Sequence, residues 1–287
     1  MKFNKIDFYC ITHKNLTNFL QFSFIPFGVG ENKYPKNFLT EKKGKNISKK
    51  NNNFGELTFH YWFWKNKLKN YKSNKWFGIC HYRRFFILPD NRKKILKLGI
   101  QNFENKIISI NDLKKILLIK PLKIWNKYDA ILCDPVKFNF TKFSKFFKKN
   151  KLNLLKDPFL FFKKKKHNLK LQFEMFHGAK FLNNAIKLLP VKEQILFINY
   201  LNSNNSLKAN CMFISKNKKI INNLYENLFS WLFKCEKKFK NEELKNYGQK
   251  RIYVFLAERY IPFWLETYAN TTSCPWVFSD INKLLKN

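Results

Sequence analysis

The stretch Gly44–Phe86 decides the fold of this chain. It reads GKNISKKNNNFGELTFHYWFWKN over residues 44–66 and, after a short basic link, WFGICHYRRFF over residues 76–86. The first part places a polar loop ahead of an aromatic helix, and the second part is an apolar strand that runs into a histidine, a tyrosine and two arginines. Ligands of α/β proteins bind at the carboxyl ends of strands, and arginine at such an end favours an anionic ligand.

Strands and helices alternate along the rest of the chain. Predicted strands cover residues 5–12, 24–30, 76–80, 128–135 and 207–215, the last entered through Asn210. Predicted helices cover residues 56–69, most of 91–127 with an Asn111-Asp112 cap, 171–189, 219–239 and 251–268 with an interruption at Pro262. This alternation predicts an α/β fold with a parallel or mixed sheet flanked by helices.

Two segments between these elements are predicted to be loops. Residues 31–53 are rich in lysine and asparagine, and an ordered loop of that length usually serves binding. Residues 139–170 carry the densest lysines, including KKKK at 163–166, and predict an exposed, mobile loop. The 287 residues contain no repeat and no clear linker, so a single domain over residues 1–287 is the simplest account.

The chain is strongly basic, with 56 lysines and arginines against 19 acidic residues and a net charge of +37. Such an excess favours anionic partners: nucleic acid, anionic lipid or phosphorylated small molecules. The simpler alternative is solvated surface lysine encoded by AT-rich codons. Because the lysines are scattered along the whole length, nucleic acid is disfavoured as the partner, whereas a membrane-surface role suits the combination of lysine, phenylalanine and tryptophan.

Cysteine usage and hydropathy point to the cytoplasm. The six cysteines are widely spaced without a CxxC pair, and several lie in apolar runs, so we expect them to be reduced and buried. The opening MKFNKIDFYC lacks the features of a signal peptide, and no uncharged apolar run approaches the roughly 18 residues that span a bilayer. We expect a cytoplasmic protein, either soluble or peripheral at the inner membrane face.

The central motifs resemble those of an uncharacterised bacterial domain family of capsular and exopolysaccharide synthesis, whose members look like glycosyltransferases. NISKKN, ELTFHYWFWKN and HYRRFF match the pattern N-I-S-x-K-N, E-L-T-x-x-Y-W-x-W-K-N and H-Y-R-R of that family. The likeness continues more weakly in ITHK, FIPFGVG, YDAILCDP, NCMFISK and RIYVFLAERY, and it is poor over residues 139–205.

The resemblance implies a GT-A-like fold and a hexosyl transfer. The donor would be a nucleotide-sugar such as a UDP-sugar, with galactose or galactofuranose as the sugar by analogy. The acceptor would be a surface polysaccharide or a lipid-linked glycan.

Donor binding is expected at the strand ends and in the polar loop. Metal-dependent GT-A enzymes hold Mn²⁺ or Mg²⁺ with Asp-x-Asp, which is absent from this sequence, so no metal ligand is assigned and the need for a metal stays open. We hypothesise that arginine charge takes over part of the metal's role, the alternative being an arginine pair that forms salt bridges. The candidate donor-binding residues, some of which could instead order the loop or cap a strand, are His13, Asn46, Ser48, Asn51, His81, Tyr82, Arg83 and Arg84.

Catalysis by an inverting enzyme needs a base for the acceptor hydroxyl. Glu258, beside Arg259 in an apolar helix, and Asp134, at a strand end, are the two candidates, although Glu258 could serve to hold Arg259. Acceptor binding is assigned to His177, Asn210 and Arg259, with a core role as the alternative for His177. Two rival hypotheses are a nucleic-acid-binding protein and an inactive scaffold of glycan synthesis.

Overall fold

The computed structural model describes residues 5–15, 22–72, 74–93, 109–137, 155, 157–158, 167–240, 244 and 247–280. The strands are β1 (Asp7–Thr12), β2 (Phe24–Gly28), β3 (Leu39–Thr40), β4 (Phe77–His81), β5 (Arg84–Phe86), β6 (Ala130–Cys133), β7 (Val136–Lys137), β8 (Ser206–Leu207), β9 (Phe213–Ser215), β10 (Thr271–Cys274) and β11 (Trp276–Phe278). The helices are α1 (Asn51–Phe54), α2 (Leu57–Asn66), α3 (Ile110–Ile116), α4 (Leu169–His177), α5 (Ala179–Lys187), α6 (Val191–Ser203), α7 (Lys218–Phe239), α8 (Tyr247–Lys250) and α9 (Ile252–Tyr268). Most of the predicted exposed loop at 139–170, and residues 94–108 of the predicted helical segment, lie outside the described residues.

The chain is divided into two compact units. The first comprises Met1–Asp134, Asn210–Glu226 and Trp264–Asn287, and the second comprises Pro135–Ala209 and Asn227–Phe263. The prediction of one glycosyltransferase-like domain over residues 1–287 stays a prediction.

Among the described residues, the first unit is built on a nine-stranded sheet. Seven strands run in the order β10-β6-β9-β4-β1-β2-β3, and β9 is antiparallel to both of its neighbours while the other adjacent pairs are parallel. Strand β5 folds back against the end of β4 and pairs with β11. The predicted α/β class, with a mostly parallel sheet flanked by helices, is confirmed.

Helix α2 is aromatic because it covers the sheet of the first unit. The ring of Phe59 lies 5.5 Å from that of Tyr9 on β1 and 4.7 Å from that of Phe27 on β2, and Phe63 lies 4.9 Å from Phe77 on β4. Each such ring, when fully buried, contributes about 1.5–3 kcal/mol to the hydrophobic stabilisation. The ELTFHYWFWKN motif is therefore explained in large part by packing.

The second unit is mainly helical. Helices α4, α5 and α6 pack with residues 227–239 of α7 and 252–263 of α9. The Trp231 indole donates a hydrogen bond to the Ala185 carbonyl at 2.7 Å, and the Tyr260 hydroxyl donates to Glu193 at 2.9 Å. The polar atoms of these two aromatic side chains are thus hydrogen-bonded inside the core.

Backbone conformation corrects two predicted elements. The predicted strand at 207–215 is confirmed at Leu207 and Phe213–Ser215 but interrupted between them, because Asn210 (φ 75°) and Cys211 (φ 52°) are left-handed and separate β8 from β9. The predicted helix at 171–189 is two helices, which Gly178 (φ 96°) divides. A left-handed residue cannot continue either a strand or a right-handed helix.

Other boundaries also differ from the expectations. Helix α9 continues through Pro262 without interruption, and the cap of α3 is Ser109, whose Oγ accepts the amide of Asp112 at 3.1 Å. Residues 117–122 are not helical, and the loop at 31–53 contains β3 and most of α1. Strands β5, β10 and β11 and helix α6 were not predicted, because short strands and a polar-rich helix leave weak periodic signals.

Candidate functional site

The carboxyl ends of β1, β2 and β4 lie side by side in the first unit. Ile11 pairs with His81, and Thr12 pairs with Gly28. The residues that follow these strands therefore meet at one edge of the sheet, as the sequence predicted. The rings of His13 and Tyr82 stand perpendicular to each other, with their centroids 5.3 Å apart.

Positive charge gathers around Tyr82 at this edge. The guanidinium carbon of Arg83 lies 4.8 Å from the centre of the Tyr82 ring, and the ammonium of Lys14 lies 6.0 Å from it. Arg83 is half-buried, and among the described residues its Nε has no hydrogen-bond partner and its guanidinium forms no ion pair. Arg84, on β5, pairs in register with His81 and lies 5.7 Å from the Phe278 ring.

His81 links β4 to the left-handed turn before β9. Its Nε2 lies 2.7 Å from the backbone oxygen of Asn210. A carbonyl can only accept, so Nε2 carries the proton and donates it. Asn210 is 3% exposed, and two consecutive left-handed residues other than glycine are a costly conformation of the kind that concentrates at functional sites. The two predicted residues His81 and Asn210 are thus brought into direct contact.

Another histidine of the first unit, on helix α2, is buried. His60 on α2 is fully buried, and its Nδ1 lies 3.0 Å from the hydroxyl of Tyr225. Burial, with a smaller contribution from the charge of His81, lowers the pKa of His60 from 6.5 to about 3. His60 therefore stays neutral at physiological pH and acts as a packed hydrogen-bonding group.

Side chains of the polar loop form hydrogen bonds with residues close to them in sequence. Asn46 Oδ1 accepts hydrogen bonds from the amide of Ser48 at 3.2 Å and from its hydroxyl at 2.9 Å. Asn51 Nδ2 donates to the Gly55 carbonyl at 2.9 Å and to the Thr58 hydroxyl at 3.1 Å. These contacts order the loop, and the donor-binding role of the three residues stays a prediction.

Glu41 is a buried acid that the sequence analysis missed. Its side chain is 0% exposed, and Oε1 accepts the amide of Gly30, just beyond β2, at 2.6 Å. Oε2 receives no hydrogen bond from a described group. Burial raises the pKa of Glu41 from 4.5 to about 7, against the lowering effects of the Gly30 amide and the nearby Thr58 hydroxyl. A glutamate in a lysine-rich loop carries no local signal of burial, so periodicity could not have found it.

Asp134 stands at the carboxyl end of β6 with both oxygens occupied. Oδ2 accepts Arg92 Nε at 2.7 Å, while Oδ1 accepts Arg92 Nη2 at 3.0 Å and the Ser273 hydroxyl at 2.7 Å. This is a bidentate arginine–carboxylate pair, which fixes the orientation of the carboxylate as well as neutralising its charge. Arg92 and Ser273 were not predicted, because the sequence does not reveal which side chains from other elements lie at the carboxyl end of β6.

The remaining candidates lie in the second unit. Glu258 accepts a hydrogen bond from Arg259 Nη1 at 3.1 Å. Arg259 is 2% exposed and also donates to the Phe255 carbonyl at 2.9 Å and to the side chain of Gln172. His177 stacks on the Phe255 ring at 4.0 Å. Arg259 thus has the contacts of a buried structural cation, and His177 those of a packed core residue.

Within the ranges that the structure describes, no group of three or more His, Cys, Asp or Glu side chains is placed to hold a metal ion. No helix in the described part of the chain is long and apolar enough to cross a bilayer.

Comparison with known proteins gives a family and a fold. The family model described as "Domain of unknown function (DUF4422)" matches residues 7–270. The solved structure described as "WbbM bifunctional glycosytransferase apo structure" aligns with 96% of this chain at a TM-score of 0.59 and 18% sequence identity, which establishes a shared fold. The chain spans 45% of that longer protein. No curated protein matches the chain.

Proposed function

We propose that this chain, which belongs to the DUF4422 family, is a glycosyltransferase that moves a hexose from a nucleotide-sugar donor to a glycan acceptor. A UDP-sugar is the proposed donor, and a surface-polysaccharide or lipid-linked glycan is the proposed acceptor. The fold shared with a structure described as a bifunctional glycosyltransferase supports the reaction class. The proposed place of action is the cytoplasmic face of the membrane, during capsular or exopolysaccharide synthesis.

The guanidinium of Arg83 is the observation that carries the proposal. It is half-buried at the carboxyl edge of the sheet without a carboxylate partner among the described residues. A partly desolvated cation without a counter-ion is unfavourable unless a ligand supplies the negative charge. A nucleoside diphosphate has that charge, and the edge where Arg83 lies is where α/β sheets place such ligands.

The positive groups at this edge suit the chemistry of sugar transfer. When the bond between the sugar and the diphosphate breaks, negative charge develops on the leaving diphosphate. Arg83, Arg84 and Lys14 are positively charged donors that would stabilise this charge in the transition state. The Tyr82 ring positions Arg83 through a cation–π contact, in which the guanidinium carbon lies 4.8 Å from the ring centre. His13, Asn46, Ser48, Asn51 and His81 remain the proposed neighbours of the donor.

The proposed base is Glu258, with Asp134 as the second candidate. Asp134 is bonded through both oxygens to Arg92 and Ser273, so proton transfer to it would disrupt those contacts. Glu258 lies beside Arg259, a proposed acceptor-binding residue, and accepts a hydrogen bond from its Nη1 through Oε2 at 3.1 Å. His177, Asn210 and Arg259 stay the proposed acceptor residues.

Donor turnover tests the proposal. Purified protein is incubated with each member of a nucleotide-sugar panel and with a glycan acceptor or water to take the sugar, in EDTA and separately with Mn²⁺, and release of the nucleoside diphosphate is measured. We expect one UDP-sugar to be turned over. Glu258→Gln should lower the rate by about 10²–10⁴-fold, as loss of a general base does, while Asp134→Asn should have a smaller effect. Lys192→Ala, which removes an exposed charge from α6, is the control.

The outcomes of this assay separate the alternatives. Turnover that requires Mn²⁺ would show that a metal shares the role assigned to the arginines. Binding of a nucleotide-sugar without release of its nucleoside diphosphate would identify an inactive scaffold and overturn the proposed activity.

A further inference from the structure

A charged cavity lies at the edge of the sheet opposite to Tyr82, in the first unit. It measures ≈ 460 Å³ and is lined by residues 126–129, which precede β6, and residues 216–219, which follow β9 and begin α7. Ala130 pairs with Ser215 at the boundary of these two segments. Strands β6 and β4 are both antiparallel to β9, so they run in the same direction. The cavity precedes β6 and therefore lies at the amino edge of these strands, whereas Tyr82 follows β4 at the carboxyl edge.

The cavity holds an uncompensated excess of positive charge. Four lysines line it, Lys127, Lys216, Lys218 and Lys219, against one acid, Asp129, which leaves a surplus of three charges. None of the four ammonium groups forms an ion pair with a described residue. Asp129 is itself occupied, since its oxygens accept the Asn217 side-chain amide at 2.7 Å and the Asn270 backbone amide at 2.9 Å.

Two of the lysines are held in place. The ammonium of Lys216 donates to Asn126 Oδ1 at 2.8 Å and lies 5.2 Å from the ring of the buried Trp76. The ammonium of Lys218 donates to the Lys69 carbonyl at 3.4 Å, and both side chains are half-buried. Lysines that are already restrained lose less conformational entropy when a ligand binds, which separates them from freely solvated surface lysine.

The charge comes from the lysines and not from the start of helix α7. Asn217 caps that helix, because its Oδ1 accepts the amide of Ile220 at 3.2 Å. The lysine ammonium is a compact, strongly hydrated charge with three donors, which suits a phosphate oxygen approached from several directions. The cavity volume falls within the range of ligand pockets, about 300–1,000 Å³.

We infer that this lysine-lined cavity binds a phosphate group, carried either by a lipid headgroup or by a free phosphate ester. The site is separate from the proposed donor edge, and it does not depend on the glycosyltransferase proposal. Its ligand would be recognised by charge and by the side-chain amide of Asn126.

Lysine footprinting on the whole chain tests this inference site by site. The protein is acetylated briefly in the presence of pyrophosphate, of phosphatidylglycerol vesicles, or of neutral phosphatidylcholine vesicles, and each lysine is quantified by mass spectrometry. At a probe concentration about ten times Kd, acetylation of Lys216 and Lys218 should slow by roughly tenfold. The exposed lysines Lys187 and Lys192 in the second unit serve as internal controls.

Variants make the result specific. In Lys216→Ala/Lys218→Ala, protection of Lys127 and Lys219 should disappear, whereas the charge-matched Lys187→Ala/Lys192→Ala should keep it. Protection by pyrophosphate would identify a free phosphate compound as the ligand class, and protection by phosphatidylglycerol alone would identify a headgroup. Absence of protection with both probes, or equal protection of Lys187 and Lys192, would overturn the inference.

Discussion

At the residue scale, Glu41 shows how burial changes the chemistry of a side chain. Its carboxyl group is 0% exposed, and the Gly30 amide donates a hydrogen bond to Oε1 at 2.6 Å. Desolvation disfavours the charged form, so the pKa of Glu41 rises from 4.5 to about 7. The folded chain therefore holds this proton more tightly than the unfolded chain.

This difference predicts a pH dependence of stability with a defined sign. The free energy of unfolding should fall as pH rises from 4.5 through about 7 and should level off above it, because the folded state binds more protons within that window. The contribution of this group amounts to roughly 3 kcal/mol. Urea unfolding of the wild type and of Glu41→Gln at several pH values would measure it.

Glu41→Gln should flatten this part of the curve and should be more stable than the wild type above pH 7, since the amide can still accept the Gly30 hydrogen bond. Glu31→Gln, at an exposed position of the same loop, is the control and should leave the curve unchanged. A slope that persists in Glu41→Gln would rule out Glu41 as its source.

His81 gives a second prediction at this scale. His81→Phe keeps an aromatic ring but removes the donor that satisfies the buried Asn210 carbonyl. We expect a loss of about 1–3 kcal/mol of unfolding free energy, as when one partner of a buried hydrogen bond is removed. Chemical denaturation measures the loss, and an unchanged midpoint would show that the contact contributes nothing.

At the element scale, two substitutions in the turn Asn210–Cys211 distinguish the strain of the backbone from the loss of a side chain. Asn210→Gly and Asn210→Ala both delete the side chain, but alanine is disfavoured at a φ of 75°. The alanine variant should be less stable by about 1 kcal/mol, opposite to the order seen at ordinary positions. Equal stability of the two variants, or a more stable alanine variant, would contradict the left-handed assignment.

Arg259 on helix α9 contacts Gln172 on α4. Replacing Arg259 distinguishes a structural role of this side chain from a role in acceptor binding. Arg259→Ala removes the hydrogen bonds to Gln172 and to the Phe255 carbonyl in a buried site. If Arg259 is structural, unfolding free energy should fall by about 3 kcal/mol or more, as when a buried ionic contact is broken. Lys180→Ala, at an exposed position of α5, is the charge-matched control. An unchanged stability with a raised KM would instead assign Arg259 to the acceptor.

The elements also show what the sequence can predict and what it cannot. Strands β1, β2, β4 and β6 and helices α2 and α7 were predicted because each has a long apolar run or a clear stripe. Strand ends at His81 and Asp134 followed from the same runs. The burial of Glu41, the Arg92–Asp134 pair and the turn at Asn210 depend on contacts between residues far apart in sequence, which no local pattern encodes.

At the scale of the whole molecule, the net charge of +37 predicts a salt effect. Like charges repel in the compact state, and salt screens them over a distance of about 10 Å at 0.1 M. Raising NaCl should therefore increase the urea midpoint of unfolding. A midpoint that falls or stays constant with NaCl would show that local pairing, and not self-repulsion, sets the electrostatic free energy.

The proposal that Arg83 binds the diphosphate of a nucleotide-sugar is tested most directly by thermal unfolding with and without each UDP-sugar, in EDTA. At about 100 times Kd, a ligand stabilises the folded state by roughly 2.7 kcal/mol and raises Tm by several degrees. We expect this rise in the wild type and in Lys192→Ala, a smaller rise in Arg83→Lys, and none in Arg83→Ala, whose Tm without ligand verifies its folding. No rise with any nucleotide-sugar, or an equal rise in Arg83→Ala, would contradict the proposed donor site.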